Sequence, residues 1–261
     1  MGSIRIAKYG LHYYEEPPIS FSTGSGAVFF CGCPLKCVFC QNFDLSRNLR
    51  GKEISVEELA DIFRRLEEMG ADNINLVTAT QYLSDIEAAL KIYRPSIPIV
   101  WNSSGYEKME TLERAGEFVD IWLPDFKFMD PKLAKRYTGK ENYPDFAAPA
   151  IRYMAQKPLV MREDGKMLSG CIIRHLILPL AAYDSIQIVR YVASLKSDAY
   201  LSVMSQYTPF GDIEKFPELQ RRITKREYNM VKDAALETGM ERLFLQDFSS
   251  ATEEYIPDWD F

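Results

Sequence analysis

Short, wholly apolar runs alternate with amphipathic ones along this chain. Ala27 to Phe30 is apolar at every position, which suits a buried strand. Ser55-Val56-Glu57-Glu58 sets serine and glutamate three apart, the mark of a capped helix start. Leu59, Ile62, Phe63 and Leu66 follow at helical spacing until Gly70 stops the helix. The same reading predicts a strand at Ile74–Val77, a helix over Leu83–Tyr93 closed by Pro95, and a strand at Ile97–Trp101. A turn over Asn102–Gly105 leads to a helix over Glu107–Ala115 and a strand at Val119–Leu123. Asp130-Pro131 opens a short helix near Lys132–Tyr137. Residues 138–170 read as more helical than extended, at least from Asp145 to Met154. Cys171–Leu178 is a strongly apolar strand ending at Pro179. A helix over Ser185–Leu195, a strand at Tyr200–Met204, a helix over Thr224–Thr238 and a last strand at Leu243–Leu245 complete the pattern.

Strands that are apolar on both faces and separated by helices predict a parallel sheet under helical cover. About six such units without a dinucleotide glycine fingerprint predict an α/β fold, a partial (βα)6 TIM-type barrel with parallel strands. In such barrels the chemistry sits in the loops after the strands. Residues 1–25 are rich in Tyr, Pro, Ser and Gly and include Pro17-Pro18, so they are expected to be an irregular extension. The tail over 247–261 is acidic and aromatic. No internal repeat or linker interrupts the pattern, and residues 1–261 read as a single domain.

Composition narrows the choices. With 261 residues, 47% of them hydrophobic, the chain is able to bury one sizeable core. Its net charge of -6 favours neither nucleic acid nor an anionic membrane. Arg221, Arg222, Lys225 and Arg226 read as a solvated helix start. No run approaches the roughly 20 apolar residues of a membrane span. The start MGSIRIAKYG lacks the apolar core of a secretion signal, and its sixth residue is Ile where myristoylation needs Ser or Thr. The expected location is the cytoplasm. Five cysteines, four of them between positions 31 and 40, do not make a disulfide framework.

Those crowded cysteines carry the chemistry. Cys33, Cys37 and Cys40 are separated by three and then two residues. Thiolates suit zinc and iron–sulfur clusters. Zinc ribbons pair two well-separated motifs, whereas here there is one tight group, with Cys171, His12 and His175 isolated from it. Three thiolates hold three irons of a [4Fe–4S] cluster and leave the fourth iron open to a substrate or cofactor. Cys31, at the end of the predicted strand, reads as a buried thiol, with a fourth-ligand role as the alternative. Cys171 reads as core.

The triad, in a loop after the first barrel strand and with the aromatic Phe39 before Cys40, resembles the radical S-adenosylmethionine enzymes. The segments HYYEEPPIS, GSGAVFF, CVFCQN, WNSSGYE, LPDFK, RHLILP and MSQYTPF extend the resemblance to the pyruvate formate-lyase activating-enzyme-like subfamily. Cys31 is a departure, since a small residue such as serine is commoner before that glycine. The resemblance implies a [4Fe–4S] cluster on Cys33, Cys37 and Cys40, with S-adenosylmethionine on the open iron. It implies an electron donor such as flavodoxin or ferredoxin, and reductive cleavage of the cofactor to methionine and a 5'-deoxyadenosyl radical that abstracts hydrogen. In an activating enzyme the hydrogen comes from a glycine of a partner glycyl radical enzyme. Direct modification of a peptide, nucleic acid or small molecule is the alternative, and a non-catalytic iron–sulfur or zinc protein a lesser one.

The resemblance also assigns roles to strand-end residues. Phe39 lies near the adenine. Thr78, Thr80 and Gln81 replace a Gly-Gly-Glu motif that meets the amino group of the cofactor, Thr80 being otherwise a helix cap. Asn102, Ser103 and Ser104 correspond to a segment lining the cofactor site, or else form a plain turn. Asp125 matches an aspartate that helps hold a monovalent cation, and Lys127 faces the active site. Arg174, a charge within an apolar strand, needs a partner if buried and matches an arginine that contacts the cofactor. Gln206 and Tyr207 follow the sixth strand, within reach of cofactor or substrate. His175 falls on the opposite strand face from Arg174 and reads as a satisfied outer-face histidine. His12, Glu15 and Glu16 either close the barrel mouth or lie on the surface.

Overall fold

A computed structural model describes residues 4–248. The chain runs β1 (Ile4–His12), β2 (Ser25–Phe30), α1 (Phe43–Ser46), β3 (Lys52–Ile54), α2 (Val56–Glu68), β4 (Ile74–Val77), α3 (Leu83–Ile92), β5 (Ile99–Ser103) and α4 (Met109–Gly116). It continues through β6 (Ile121–Pro124), α5 (Pro131–Thr138), α6 (Tyr143–Met154), β7 (Val160–Met161), β8 (Met167–Leu176), α7 (Ala182–Ser194), β9 (Tyr200–Met204), α8 (Lys225–Glu237) and β10 (Leu243–Leu245). The capping box predicted at Ser55 is present: its hydroxyl accepts from Glu58 N, and the Glu58 carboxylate accepts from Ser55 N.

The strands form one open sheet in the order β10-β9-β8-β6-β5-β4-β2-β1-β3, with β7 paired to β8. Strands β2, β4, β5, β6, β8, β9 and β10 run parallel. This is the partial TIM-type barrel, with β10 as a seventh parallel strand. Alternate residues of each strand face opposite sides. Trp101, Trp122, Ile173 and Leu201 join the main core with helical residues such as Leu112 and Val189. Their neighbours Val100, Ile121, Leu123 and Ile172 form a second apolar cluster with Ile19 and Met167, on the concave side. Among the described residues no helix is long and apolar enough to cross a membrane.

The N-terminal stretch differs from the expected irregular extension. Residues 4–12 form β1, antiparallel to β2 with His12 opposite Ser25 and Leu11 opposite Gly26. Only Pro17-Pro18 forbids regular pairing, and it lies beyond the strand. The chain then turns into the barrel as a strap. Ile19 is fully buried in the concave cluster. Pro18 O accepts from Met167 N at 3.0 Å, and Ile19 O from Asn73 Nδ2 at 2.8 Å. The Asp72 carboxylate gathers the backbone N–H groups of Ser22, Thr23 and Gly24 and pairs with Lys166 Nζ at 3.0 Å. Burying an isoleucine side chain is worth about 1.5–3 kcal/mol, so the strap is packed into the barrel floor rather than laid over it.

Two smaller differences concern the middle and end of the chain. Helix α6 lies where the sequence predicts it, but residues 160–170 build the β7–β8 hairpin, and β8 begins at Met167. Of the expected tail, residues 249–261 lie outside the described residues, as do Met1, Gly2 and Ser3.

Candidate active site

A cavity of about 230 Å³ opens at the carboxyl ends of the parallel strands. The parallel strands from β2 to β9 contribute residues at their carboxyl ends or in the loops after them: Phe29, Val77 and Thr78, Asn102 to Ser104, Asp125 and Lys127, Leu176 and Leu178, Met204 and Gln206. Ligand sites of open parallel sheets lie at this end. Cys33, Cys37, Phe39 and Cys40 form the remaining wall with Gln41, Asn42 and Ser46. The structure therefore brings Cys33, Cys37, Cys40, Phe39, Thr78, Asn102, Ser104, Asp125, Lys127, Arg174 and Gln206 to one cavity.

Backbone bonds from several elements fix the cysteine loop. Val38 N donates to Tyr137 O of α5 at 2.9 Å, and Val38 O accepts from Asp212 N at 2.8 Å. Next to that contact Gly211 has φ +89° and approaches so closely that an added Cβ would lie 2.4 Å from Val38 O, a position only glycine fills. Gln81 Nε2 lies 3.0 Å from Cys31 O, 2.8 Å from Gly32 O and 3.0 Å from Thr78 O. Gln81 thus ties the cysteine loop to the β4 loop and does not line the cavity. Phe39 is buried, edge-on to Phe128, Tyr137 and Tyr207 at 6.2–6.4 Å between ring centres. Tyr207 itself lies behind Phe39 and donates to Leu219 O at 2.7 Å, so it serves packing rather than the cavity.

Thr80 is a correction. The loop after β4 winds into a short 3-10 turn over Thr80–Tyr82, which swings Thr80 away from the cavity. Its hydroxyl lies 2.6 Å from Glu107 Oε1, and it caps no helix. Glu107 is buried, and burial pushes its carboxyl up to about 6 despite bonds from Thr80 and Trp101. The unfolded chain releases this proton first as pH rises. The stabilisation is therefore complete below about pH 4.5 and is lost by about pH 6. Glu107→Gln is expected to remove about 2 kcal/mol of that pH dependence, measured as urea unfolding at pH 4.5 and 7.

The deepest wall of the cavity is a connected set of charges. Arg174 donates from Nε to Asp125 Oδ1 at 2.8 Å, from Nη1 to Glu15 Oε2 at 2.9 Å and from Nη2 to Asn102 Oδ1 at 2.7 Å. Lys127 Nζ lies 2.8 Å from Asp125 Oδ2. The second Glu15 oxygen accepts from Asn75 Nδ2 at 2.9 Å and Asn102 Nδ2 at 3.1 Å. Burial raises the Asp125 carboxyl, but Arg174 and Lys127 outweigh it and hold it below the ordinary range. Burial likewise pulls Lys127 down, and Asp125 more than restores it. Tyr143 joins the β5 and β6 loops, since its hydroxyl oxygen is 2.9 Å from both Ser104 O and Lys127 N. Asp125 therefore already holds two cationic partners at the place where the resemblance puts a monovalent cation.

Glu15 is the residue that sequence reasoning left undecided. Its partners stand 60, 87 and 159 positions away, and only the paired glutamates before Pro17-Pro18 hinted at it. His12 also lines the cavity, whereas Glu16 does not. Burial raises the Glu16 carboxyl. His175 faces away from the cavity as expected. Its Nδ1 donates to Phe126 O at 2.7 Å, its Nε2 accepts from Ser185 Oγ at 2.8 Å, and burial holds it neutral, down at about 4. Cys171 is buried in the core, and the Cys31 sulfur lies 3.1 Å from Arg50 O. Neither lines the cavity.

The donor set fits an iron–sulfur cluster. Three cysteine thiols line one cavity, and no group of three His, Cys, Asp or Glu side chains among the described residues converges on a single ion. A cluster asks for that spread, because each thiolate binds its own iron. Burial raises Cys37 well above an ordinary thiol and raises Cys40 as well; Cys33 adds to both, while Lys127, and for Cys40 the Ser46 hydroxyl, oppose. As free thiols they would stay protonated at neutral pH, whereas metal ligation requires and supplies the thiolate form.

Comparisons with known proteins bear on the same region. The family model described as the radical SAM superfamily matches residues 27–159. The uncharacterized protein MJ0674 of Methanocaldococcus jannaschii is 29% identical over 244 residues, covering 90% of this chain and 68% of that protein. A domain of pyruvate-formate lyase-activating enzyme from Bacteroides vulgatus is 14% identical with TM-score 0.43, over 74% of this chain and 91% of that one. Methylornithine synthase is 14% identical with TM-score 0.47, over 79% of this chain and 60% of that one.

Proposed function

The chain belongs to the radical S-adenosylmethionine superfamily, whose members use a [4Fe–4S] cluster and S-adenosylmethionine. From that premise we propose that it abstracts hydrogen from a glycine of a partner glycyl radical enzyme, as an activating enzyme does. Cys33, Cys37 and Cys40 hold the cluster. When bound, the cluster and cofactor supply a 5'-deoxyadenosyl radical, with the electron coming from a donor such as flavodoxin or ferredoxin. Phe39, Thr78, Asn102, Ser104, Arg174 and Gln206 bind and orient the cofactor. Asp125 and Lys127 fix the charge beside it, and the apolar floor excludes water.

The filled barrel floor supports a protein substrate. Ile19, Val100, Ile121, Leu123, Met167 and Ile172 are at most 1% exposed, so the floor is closed to solvent and the cavity is reached from its mouth. A substrate then enters from the mouth, as a protruding glycine loop does. The wall of the mouth also carries the exposed aromatic Tyr14.

The test mixes anaerobically reconstituted protein, reductant and S-adenosylmethionine with glycyl radical enzymes encoded beside it. A paramagnetic resonance doublet from a glycyl radical is the expected result. Deoxyadenosine formed in proportion to a modified peptide, nucleic acid or small molecule, without that doublet, would overturn the glycyl assignment and leave the radical chemistry standing.

A further inference from the structure

The family match begins at residue 27, after the strap that enters the barrel. We propose that Glu15, delivered by this strap, is a positioning residue that sets Arg174 and Asn102 for cofactor binding. The proposal rests on the cofactor reading of the cavity.

Three observations carry it. First, Glu15 is the hub of the charged wall: one carboxylate accepts from Arg174, Asn75 and Asn102. Second, it fixes orientation. With Asn102 Nδ2 given to Glu15, Asn102 Oδ1 is turned to Arg174 Nη2, and both side chains line the cavity. Third, the place is enclosed. The Glu15 side chain is 7% exposed and that of Arg174 14%, so water is a poor substitute for either partner. Asn75 is fully buried, and its Oδ1 has no hydrogen-bond partner. Asn75 therefore presents its amide N–H to Glu15 at the expense of its own carbonyl, which marks this bond as the one the local packing retains.

Without the Glu15 charge, Asp125 is the close ion-pair partner left to Arg174 among the described residues, with Glu16 acting on it only through its charge, while Asp125 already shares its other oxygen with Lys127. Arg174 and the Asn102 amide then regain rotameric freedom at the cavity wall. A residue acting only through these two has a distinct signature: its loss is not additive with theirs.

The experiment measures S-adenosylmethionine binding to the reconstituted full-length chain by equilibrium dialysis. Iron content and the resonance spectrum of the reduced cluster are recorded alongside. Glu15→Gln and Arg174→Gln should each weaken binding at least tenfold with iron unchanged, and the double variant should be no more than about threefold weaker than Arg174→Gln. Ile19→Ala separates positioning from anchoring of the strap. It should lower the melting temperature yet leave binding within threefold. Binding by Glu15→Gln within twofold of wild type, or a loss matched by Ile19→Ala, overturns the proposal. Should Glu15→Gln not fold, Glu15→Asp, which withdraws the charge by one methylene, must meet the same tenfold requirement. A wild-type chain with full iron and no cofactor binding would instead overturn the cofactor reading, and this proposal with it.

Discussion

Serine in place of Cys33, Cys37 or Cys40 is expected to abolish the cluster. Anaerobic reconstitution of the wild-type chain should give about four irons and four sulfides, and each of these variants well below one iron. Cofactor cleavage should be lost with the iron. Among the described residues these three cysteines are the thiols that line the cavity, so each has no spare. Cys31 is the natural candidate for a substitute, being two residues from Cys33. Its sulfur instead lies 3.1 Å from Arg50 O, and a Cβ on Gly51 would sit 2.5 Å from it, so it is wedged behind the loop. Cys31→Ser and Cys171→Ala are therefore expected to keep their iron, with only a packing loss. Iron loss in Cys31→Ser equal to that in the triad would refute the three-ligand assignment. Zinc in place of iron throughout would refute the radical chemistry as well.

The cysteine triad was legible because its spacing lies within one loop. Asp125, Lys127 and Arg174 were legible for another reason. Charges inside apolar strands need partners, and strand ends in a parallel barrel face one mouth. Asn102 and Ser104 were reached through the resemblance, since on their own they read equally as a plain turn. Thr80 was not legible, since nothing in Thr78-Ala-Thr80-Gln81 announces the 3-10 turn that aims it at Glu107. Strand β1 was hidden because its buried alternation covers only Ile4 and Ile6, ahead of a Tyr- and Pro-rich stretch. Glu15 was hidden because its contacts exist only in three dimensions, where a segment without periodicity meets residues of three different strands, Asn75, Asn102 and Arg174. The periodic parts of the chain thus give the scaffold and the rim of the site, while the strap that completes its deepest wall has no local signal.

Arg174→Met is expected to cause the second large loss, in both stability and cofactor cleavage. Removing one partner of a buried ion pair costs about 3–5 kcal/mol, because the remaining charge stays desolvated. Here the loss strips a partner from Asp125 and from Glu15 together. The pH dependence identifies the cause. In the wild-type chain Asp125 titrates below its ordinary value, so its stabilisation is present above the unfolded carboxylate range, about pH 4. That stabilisation disappears as pH falls through the lower folded value. In Arg174→Met the leading favourable partner of Asp125 is gone while burial remains, so its folded value rises. The stability difference between wild type and variant should therefore be largest near pH 7 and shrink below about pH 4. Denaturant unfolding of the metal-free chains at both pH values measures it. A difference independent of pH would assign the loss to the packing of the arginine stem instead. Cleavage should fall at least 100-fold even where the variant is fully folded, since Arg174 and Asn102 share a hydrogen bond at the cavity wall. Near-normal cleavage by a folded Arg174→Met chain would show that this wall serves stability alone.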